Sequence, residues 1–179
     1  MVDLTEVQKE LKKVIAVYPD FPKKGILFED ILPIFQNPDV FRIMIDALKD
    51  HVKPLAPTVI VGLDARGFLF GPTLALELGV SFVPVRKEGK LAGEVYRAVY
   101  QKEYGEDVFC LQKSAINKGD KVVIVDDIIA TGGSAAAAGQ LVTEAGGIVS
   151  EYVFLMELLF LNGREKLNAP VFTLMGGQE

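Results

Sequence analysis

The chain of 179 residues has no tryptophan, one histidine and one cysteine. A single cysteine excludes an internal disulfide framework and is typical of a reducing compartment. No spacing of Cys and His residues spells out a zinc site. The sequence also lacks an apolar run near the roughly 20 residues that cross a bilayer, and its polar, acidic start is unlike a secretory signal. We therefore expect a cytoplasmic protein with no membrane partner.

The chain also lacks an excess of basic residues, with 19 Lys and Arg against 24 Asp and Glu and a formal net charge of −5. Nucleic-acid binders usually gain their affinity from a basic surface, so we expect no nucleic-acid partner. An acidic chain can still bind a small anion, because loop N–H groups and helix N-termini hold phosphate. Half of the residues are hydrophobic, which favours a single folded domain over residues 1–179.

Short apolar runs rich in β-branched residues alternate with helical stretches through most of the chain. The runs that predict strands are Val59–Leu63, Val80–Val85, Lys121–Asp126, Val149–Leu155 and Val171–Leu174. This alternation is typical of an α/β fold with a mostly parallel central sheet flanked by helices. Ligands in such sheets bind beyond the carboxyl ends of the strands. The loops after Leu63, Val85 and Val125 are therefore the informative ones.

Two segments lie outside this alternation. Upstream of it, apolar spacing predicts helices over Leu4–Val17 and Asn37–Val52, with a loop-like stretch between them. Between the second and third strands lies a long segment with several glycines and aromatic residues and no helical period. Loops of this length usually act as lids or binding elements. We predict a flexible antiparallel hairpin in which Glu94–Tyr104 pairs with Asp107–Lys113.

The clearest chemical motif is Val-Asp-Asp-Ile-Ile-Ala-Thr-Gly-Gly-Ser, which ends the third strand and enters the next helix. Asp126 and Asp127 end a buried strand, which is costly unless they meet a ligand, a cation or solvent. The glycines let the backbone approach a phosphate, and the helix N-terminus adds unpaired N–H groups. No lysine follows as in a Walker A loop, and Gly-x-Gly-x-x-Gly is absent. The alternative is an ordinary β–α turn with solvated aspartates.

Basic residues follow the first two strands. Arg66 comes just after the first, where a guanidinium can grip phosphate through two parallel hydrogen bonds. Arg86 and Lys87 follow the second and face the same predicted edge, and Lys90 lies in the predicted lid. Each could be a solvated surface charge by itself. Their coincidence with the Asp-Asp loop favours phosphate binding.

The Asp-Asp loop resembles the phosphoribosyl-pyrophosphate motif of type I phosphoribosyltransferases. Other stretches resemble the adenine phosphoribosyltransferases, particularly those of fungi, and these are Phe21–Ile31, Gly62–Pro72, Tyr100–Gly105 and Gly163–Leu167. The resemblance runs from about Val14 to Leu174. It implies the type I phosphoribosyltransferase fold, with an N-terminal base-recognition segment at about residues 1–35 and a catalytic lid, or hood, at about 88–113.

The resemblance implies a role for each part of the site. It places the ribose hydroxyls on Asp126 and Asp127. The implied 5′-phosphate residues are Ala130, Thr131, Gly132, Gly133 and Ser134. The implied pyrophosphate residues are Leu63, Asp64, Ala65, Arg66, Arg86, Lys87 and Lys90. In that family the peptide in the pyrophosphate loop is strained and often cis, which the sequence alone would not show because Ala65 is not proline.

The lid and the N-terminal segment carry the remaining implied roles. The resemblance makes Glu103 the proton donor or acceptor at the purine N7, and Tyr104 a residue that helps to close the site. Considered alone, Glu103 would be a solvated charge. The implied adenine-binding residues are Leu27, Phe28 and Glu29, with the base read largely through backbone groups. Many family members carry Arg where this chain has Glu29, a change that backbone recognition should tolerate.

The implied reaction joins adenine to phosphoribosyl pyrophosphate and gives AMP and pyrophosphate, with Mg²⁺ arriving on the substrate and a homodimer as the assembly. One alternative is transfer to a 6-oxopurine. Such enzymes usually hold the oxygen with a lysine near the C-terminal strands, and Val171–Leu174 offers none, although Lys166 lies nearby. The other is a non-catalytic sugar-phosphate sensor. A DNA-binding sensor needs a DNA-reading module or a basic face, and the sequence predicts neither.

Overall fold

The structure is a computed structural model that describes residues 3–21, 23–101 and 105–178. The chain divides into two compact units, Met1–His51 and Val52–Glu179, and each is described by itself. The single domain expected over residues 1–179 stays a prediction. Within the described residues, no helix is both long and apolar enough to cross a membrane.

The first unit contains three helices and a small antiparallel sheet. The helices are α1 (Leu4–Val14), α2 (Leu32–Gln36) and α3 (Pro38–Val52), and the strands are β1 (Ala16–Pro19) and β2 (Leu27–Asp30). The Asp3 carboxylate accepts a hydrogen bond from the Thr5 N–H at 2.9 Å and so caps α1. Val7 and Leu11, which are one turn apart, are buried. Both predicted helices are confirmed, but the first ends at Val14 rather than Val17, because Ala16 and Val17 belong to β1.

The loop predicted between those helices is wrong, because the segment forms β1, β2 and α2. Its turn depends on local side-chain chemistry rather than on periodicity. Asp20 has a left-handed backbone with φ 57°, and its carboxylate accepts from the Gly25 N–H at 2.6 Å. The strands on either side have only four residues each, which is too short for an alternation to be recognised in the sequence.

The second unit is built on an eight-stranded sheet. Its strands are β3 (Val59–Leu63), β4 (Ser81–Lys87), β5 (Val95–Gln101), β6 (Glu106–Gln112), β7 (Lys121–Ile129), β8 (Ile148–Leu158), β9 (Val171–Thr173) and β10 (Gly177–Gln178). The order is β10-β8-β7-β3-β4-β6-β5, and β9 also pairs with β8. All pairs are parallel except those that β6 makes with β4 and β5. The mostly parallel sheet and its five predicted strands are confirmed.

Helices α4 (Gly71–Leu78) and α5 (Gly133–Glu144) pack on the sheet of the second unit. The side of α5 that faces the sheet is made mainly of small residues, so the helix axis lies close to the strands. Its buried residues are Ala135, Ala137, Ala138, Gly139, Leu141 and Val142. Gly139 lies against the Tyr152 hydroxyl of β8, and that hydroxyl donates to Asn168 Oδ1 at 2.8 Å. This packing fixes the helix whose N-terminus borders the candidate site.

The predicted hairpin is confirmed as β5 and β6, paired antiparallel from Val95 with Gln112 to Gln101 with Glu106. Strand β6 also pairs with the end of β4, so the hairpin extends the main sheet. Phe109 and Leu111 of β6 are buried in the core of the unit. The base of the lid is therefore part of the sheet, and its flexibility stays a prediction.

The contact between α5 and β8 gives a first prediction. Gly139→Ala should destabilise the protein by about 1–3 kcal/mol, because the added methyl group would overlap the Tyr152 hydroxyl. This loss should outweigh the gain of about 1 kcal/mol in helix propensity. Tyr152→Phe in the same chain should recover part of it, since it removes the obstructing oxygen. Urea unfolding of both single variants and the double variant measures the coupling. Additive losses would contradict the contact.

Candidate active site

The carboxyl ends of three strands meet at one edge of the sheet, because β3 pairs in parallel with both β4 and β7. A cavity of about 220 Å³ opens there, at the end of β7. The polar part of its lining consists of Arg66, Asp126, Asp127, Thr131, Gly132 and Ser134. The cavity therefore contains all the residues predicted for ribose and 5′-phosphate except Gly133, together with Arg66, which was predicted for pyrophosphate.

The turn between β7 and α5 forms one wall of this cavity. We define the phosphate loop as residues 130–134. Gly132 has a left-handed backbone with φ 76°, a conformation that glycine adopts without steric cost. Helix α5 begins at Gly133, and no side chain within the described part of the chain caps it. The backbone N–H groups of its first turn therefore lack an intrahelical partner and suit an anion.

Asp126 and Asp127 lie within β7, which continues to Ile129, so the prediction that they end the strand is wrong by two residues. Asp127 is 5% exposed and Asp126 is half-buried. Burial raises the pKa of both side chains, and the Asp127 charge raises the pKa of Asp126 further. Arg66 opposes this rise, since its Nε lies 2.9 Å from Asp127 Oδ2. The Asp127 N–H donates to Asp126 Oδ1 at 3.0 Å. The pair thus presents two acceptors to the cavity with a single guanidinium beside it.

The predicted pyrophosphate loop follows β3. Leu63 is buried, Asp64 is half-buried, and the Asp64–Ala65 peptide bond is cis. A 3-10 helix over Arg66–Leu69 comes next. Gly67 is buried so tightly that a Cβ there would lie 2.6 Å from the Val125 carbonyl oxygen. This close approach of backbone to backbone places the loop directly beside the end of β7.

Three further basic residues were predicted to bind pyrophosphate. Arg86 lies beside the loop, with its Nε 3.2 Å from Asp64 Oδ2 and its Nη1 3.4 Å from the Lys90 carbonyl oxygen. Lys87 Nζ lies 3.4 Å from Asp107 Oδ2 on β6. The side chains of Lys87 and Lys90 are exposed, and neither residue lines the cavity. The structure thus brings Arg86 to the pyrophosphate loop and Lys87 to the hairpin.

Sequence reasoning missed the pairing of Asp107 with Tyr100. The two residues face each other across the hairpin, and the Tyr100 hydroxyl lies 3.4 Å from Asp107 Oδ2. Burial and the Asp107 charge raise the pKa of Tyr100. Asp107 therefore contacts both Tyr100 and Lys87. Predicting this cluster from the sequence would have required the residue-by-residue register of the hairpin.

The other predicted residues belong to the lid and to the first unit. Glu103 and Tyr104 fall outside the described residues. Leu27, Phe28 and Glu29 form part of β2 in the first unit, where Leu27 is exposed and the other two are half-buried. Their roles stay predictions. Among the described residues, no group of three or more His, Cys, Asp or Glu side chains could hold a metal ion.

The acidic pair gives a second prediction. Asp126→Asn should raise the free energy of unfolding at neutral pH by about 0.5–2 kcal/mol, because it removes a carboxylate whose pKa is raised and keeps an oxygen for the Asp127 N–H. Because the pKa of Asp126 is raised in the folded protein, its ionisation lowers the free energy of unfolding at pH values above the folded-state pKa. This cost vanishes below the ordinary Asp pKa of about 3.9, where the side chain is protonated in both the folded and the unfolded protein. The advantage of the variant should therefore disappear as the pH falls through that window. Urea unfolding across pH measures it, and an unchanged neutral-pH stability would refute it.

The chain is similar to known proteins of one family. The family described as "Phosphoribosyl transferase domain" matches residues 31–156. Adenine phosphoribosyltransferase of Yarrowia lipolytica is 60% identical over 182 aligned residues, which cover 99% of this chain and 100% of that protein. Adenine phosphoribosyltransferase 1 of Saccharomyces cerevisiae is 59% identical, with coverage of 99% and 97%.

Solved structures agree. Saccharomyces cerevisiae adenine phosphoribosyltransferase, complexed with adenine and D-2,5-dideoxy-2,5-imino-altritol 1,6-bisphosphate, superimposes with a TM-score of 0.92 at 60% identity, covering 95% of this chain and 99% of that one. The Trypanosoma brucei enzyme, in complex with AMP, pyrophosphate and ribose-5-phosphate, gives 0.87 at 34% identity, with coverage of 96% and 79%. The chain therefore belongs to the phosphoribosyltransferase family, among the adenine phosphoribosyltransferases.

Proposed function

We propose that this protein transfers the 5-phosphoribosyl group from phosphoribosyl pyrophosphate to adenine and releases AMP and pyrophosphate, a reaction of purine salvage. The observation that carries the proposal is the cavity at the end of β7. There two carboxylates, one guanidinium and the N-terminus of α5 lie together. The full-length similarity to adenine phosphoribosyltransferases supports adenine as the base.

The end of β7 and the phosphate loop would hold the sugar phosphate. Asp126 and Asp127 would accept hydrogen bonds from the ribose hydroxyls. The 5′-phosphate would accept hydrogen bonds from the N–H groups of residues 130–134 and from the hydroxyls of Thr131 and Ser134. These contacts fix the sugar on both sides of the reacting carbon C1′. Positioning of this kind supplies a large part of the rate of a group transfer.

The loop after β3 would hold the leaving group. Arg66 pairs with Asp127, but its side chain is 46% exposed and can turn toward a pyrophosphate next to it. Arg86 is held at the base of the same loop by Asp64. Their positive charges, with that of Lys87, would stabilise the pyrophosphate as its bond to C1′ breaks and the sugar gains oxocarbenium character. Arg66 would thereby link the ribose half of the site to the pyrophosphate half.

A residue of the lid would transfer the proton of the purine. Glu103 would exchange it at N7, and closure of the lid with Tyr104 would exclude water and raise the carboxyl pKa toward a useful value. Leu27, Phe28 and Glu29 would bind adenine, mainly through backbone groups. These roles remain proposals from the family resemblance.

Magnesium fits the side chains that are present. Mg²⁺ keeps several waters and is usually bound through one or two carboxylates and substrate phosphates, so a cavity with two aspartates and no three-residue cluster among the described residues suits it. When bound, Mg²⁺ would neutralise charge on the pyrophosphate. Magnesium dependence, the homodimer and the cytoplasmic location remain predictions.

Product analysis tests the proposed function. The protein should be mixed with phosphoribosyl pyrophosphate, Mg²⁺ and one of adenine, hypoxanthine, guanine or xanthine, and the nucleotides separated by chromatography. We expect AMP with adenine and little product with the other three bases. Preferential formation of IMP, GMP or XMP would favour the 6-oxopurine alternative. Binding of phosphoribosyl pyrophosphate without any nucleotide product would favour the sensor.

Arg66 gives a further prediction. Arg66→Ala should weaken pyrophosphate and phosphoribosyl pyrophosphate much more than AMP, because AMP lacks the leaving group. A loss of about 10-fold or more is expected, since one charge-assisted hydrogen bond contributes roughly 1.5–3 kcal/mol. Calorimetry with the three ligands measures the difference. Lys121→Ala, which removes an exposed cation at the opposite end of β7, is the matched control. Equal losses for all three ligands would remove Arg66 from this role.

A further inference from the structure

The segment of residues 159–166, which follows β8, touches the phosphate loop through its single glycine. Gly163 is buried, and a Cβ at this position would overlap the Ala130 carbonyl oxygen and lie 2.9 Å from the Gly132 nitrogen. The contact is reciprocal, because a Cβ on Gly132 would overlap the Gly163 carbonyl oxygen. Backbone therefore lies directly on backbone, with no room for a side chain between them.

The residue after this glycine anchors the segment to the sheet. Arg164 Nε donates to the two carboxylate oxygens of Glu157 at 2.7 and 2.6 Å. The other guanidinium nitrogens donate to the Val171 carbonyl oxygen at 2.9 Å and to Thr173 Oγ1 at 3.1 Å. Arg164 thus joins β8 and β9 to the segment that carries Gly163.

Glu157, the partner of Arg164, lies next to the start of the phosphate loop. It lies on β8 directly opposite Ile129, the last residue of β7 before the loop, and it is 2% exposed. A carboxylate this buried needs a charged partner, and Arg164 supplies it with a guanidinium held in a single orientation. The position of Gly163 is consequently fixed relative to the strand end from which the loop emerges.

We infer that Arg164 is a positioning residue for the transfer reaction. Through Glu157 it holds Gly163 against Ala130 and Gly132, and this contact fixes the N–H groups that take the 5′-phosphate. The inference rests on the proposed function, because it assigns a 5′-phosphate to the loop. Two consecutive glycines give the loop much backbone freedom, and an external contact that restricts it lowers the entropy lost on binding.

The test separates loop positioning from general stability. In Arg164→Met combined with Glu157→Gln, both charges are removed, so that no buried carboxylate is left without its partner. Gly163→Ala keeps the anchor and displaces the contact itself. Arg164→Lys keeps the charge without the fork of donors. Glu165→Gln changes an exposed charge on the same turn and serves as the control. Circular dichroism and thermal unfolding establish that each variant is folded.

Calorimetry with ribose 5-phosphate and with pyrophosphate gives the decisive readout. We expect ribose 5-phosphate to bind about 10- to 100-fold more weakly to the double variant and to Gly163→Ala, with pyrophosphate nearly unchanged. The affinity of Arg164→Lys for ribose 5-phosphate should lie between those of the parent and the double variant. In steady-state assays the KM for phosphoribosyl pyrophosphate should rise more than the KM for adenine.

Two results would overturn the inference. Equal weakening of both ligands would mean that the ion pair only stabilises the fold, and unchanged binding of ribose 5-phosphate would mean that the loop needs no anchor. Failure of the proposed function is visible separately, because the parent protein itself would then form no AMP from adenine and phosphoribosyl pyrophosphate.

Discussion

Parallel pairing of β3 with β7 is the constraint on which the candidate site depends, because it brings the loops that follow these two strands to one edge of the sheet. The pairing alone leaves the loops at ordinary strand spacing. Gly67 lies against the Val125 backbone and Gly132 lies against the Gly163 backbone, so the chain closes around the cavity without side chains between the segments. Small residues along the buried face of α5 bring the helix close to the sheet in the same way. Backbone amides can then serve as the phosphate ligands.

In the proposed function, this construction would let a chain with a net charge of −5 bind a polyanionic substrate. In the proposed function, N–H dipoles and a few guanidinium groups would bind the phosphate groups, and carboxylates would accept hydrogen bonds from the ribose hydroxyls. Three of the predicted pyrophosphate-binding residues lie beside a specific carboxylate: Arg66 beside Asp127, Arg86 beside Asp64, and Lys87 beside Asp107. In the proposed function, these pairs would orient the cations before a substrate binds, and they would offset the negative charge of the carboxylates. The raised pKa values of Asp126 and Asp127 indicate that this pair costs stability, as residues of functional sites commonly do.

The sequence predicted the strands and the Asp-Asp loop well, because buried parallel strands and a glycine turn have strong local signals. It could not predict the contact between Gly132 and Gly163, since glycine leaves no sign of what packs against it. The β1–β2 hairpin was also missed, because its short strands show no period and its turn depends on the Asp20 carboxylate. The partners of the basic residues depend on strand register, as the pairing of Lys87 with Asp107 shows. Features set by neighbouring residues could therefore be predicted from the sequence, and contacts between distant segments could not.

The central claim is that backbone N–H groups at the start of α5 bind the sugar phosphate. It is tested most directly by calorimetry of phosphoribosyl pyrophosphate with Mg²⁺ on the parent protein and on Gly132→Val, with Gly119→Val as the control. Both glycines have left-handed backbones, with φ 76° and 85°, but Gly119 faces open space at the turn before β7. The account predicts that a folded Gly132→Val protein loses binding and that Gly119→Val retains it. Undiminished binding to Gly132→Val would contradict the account.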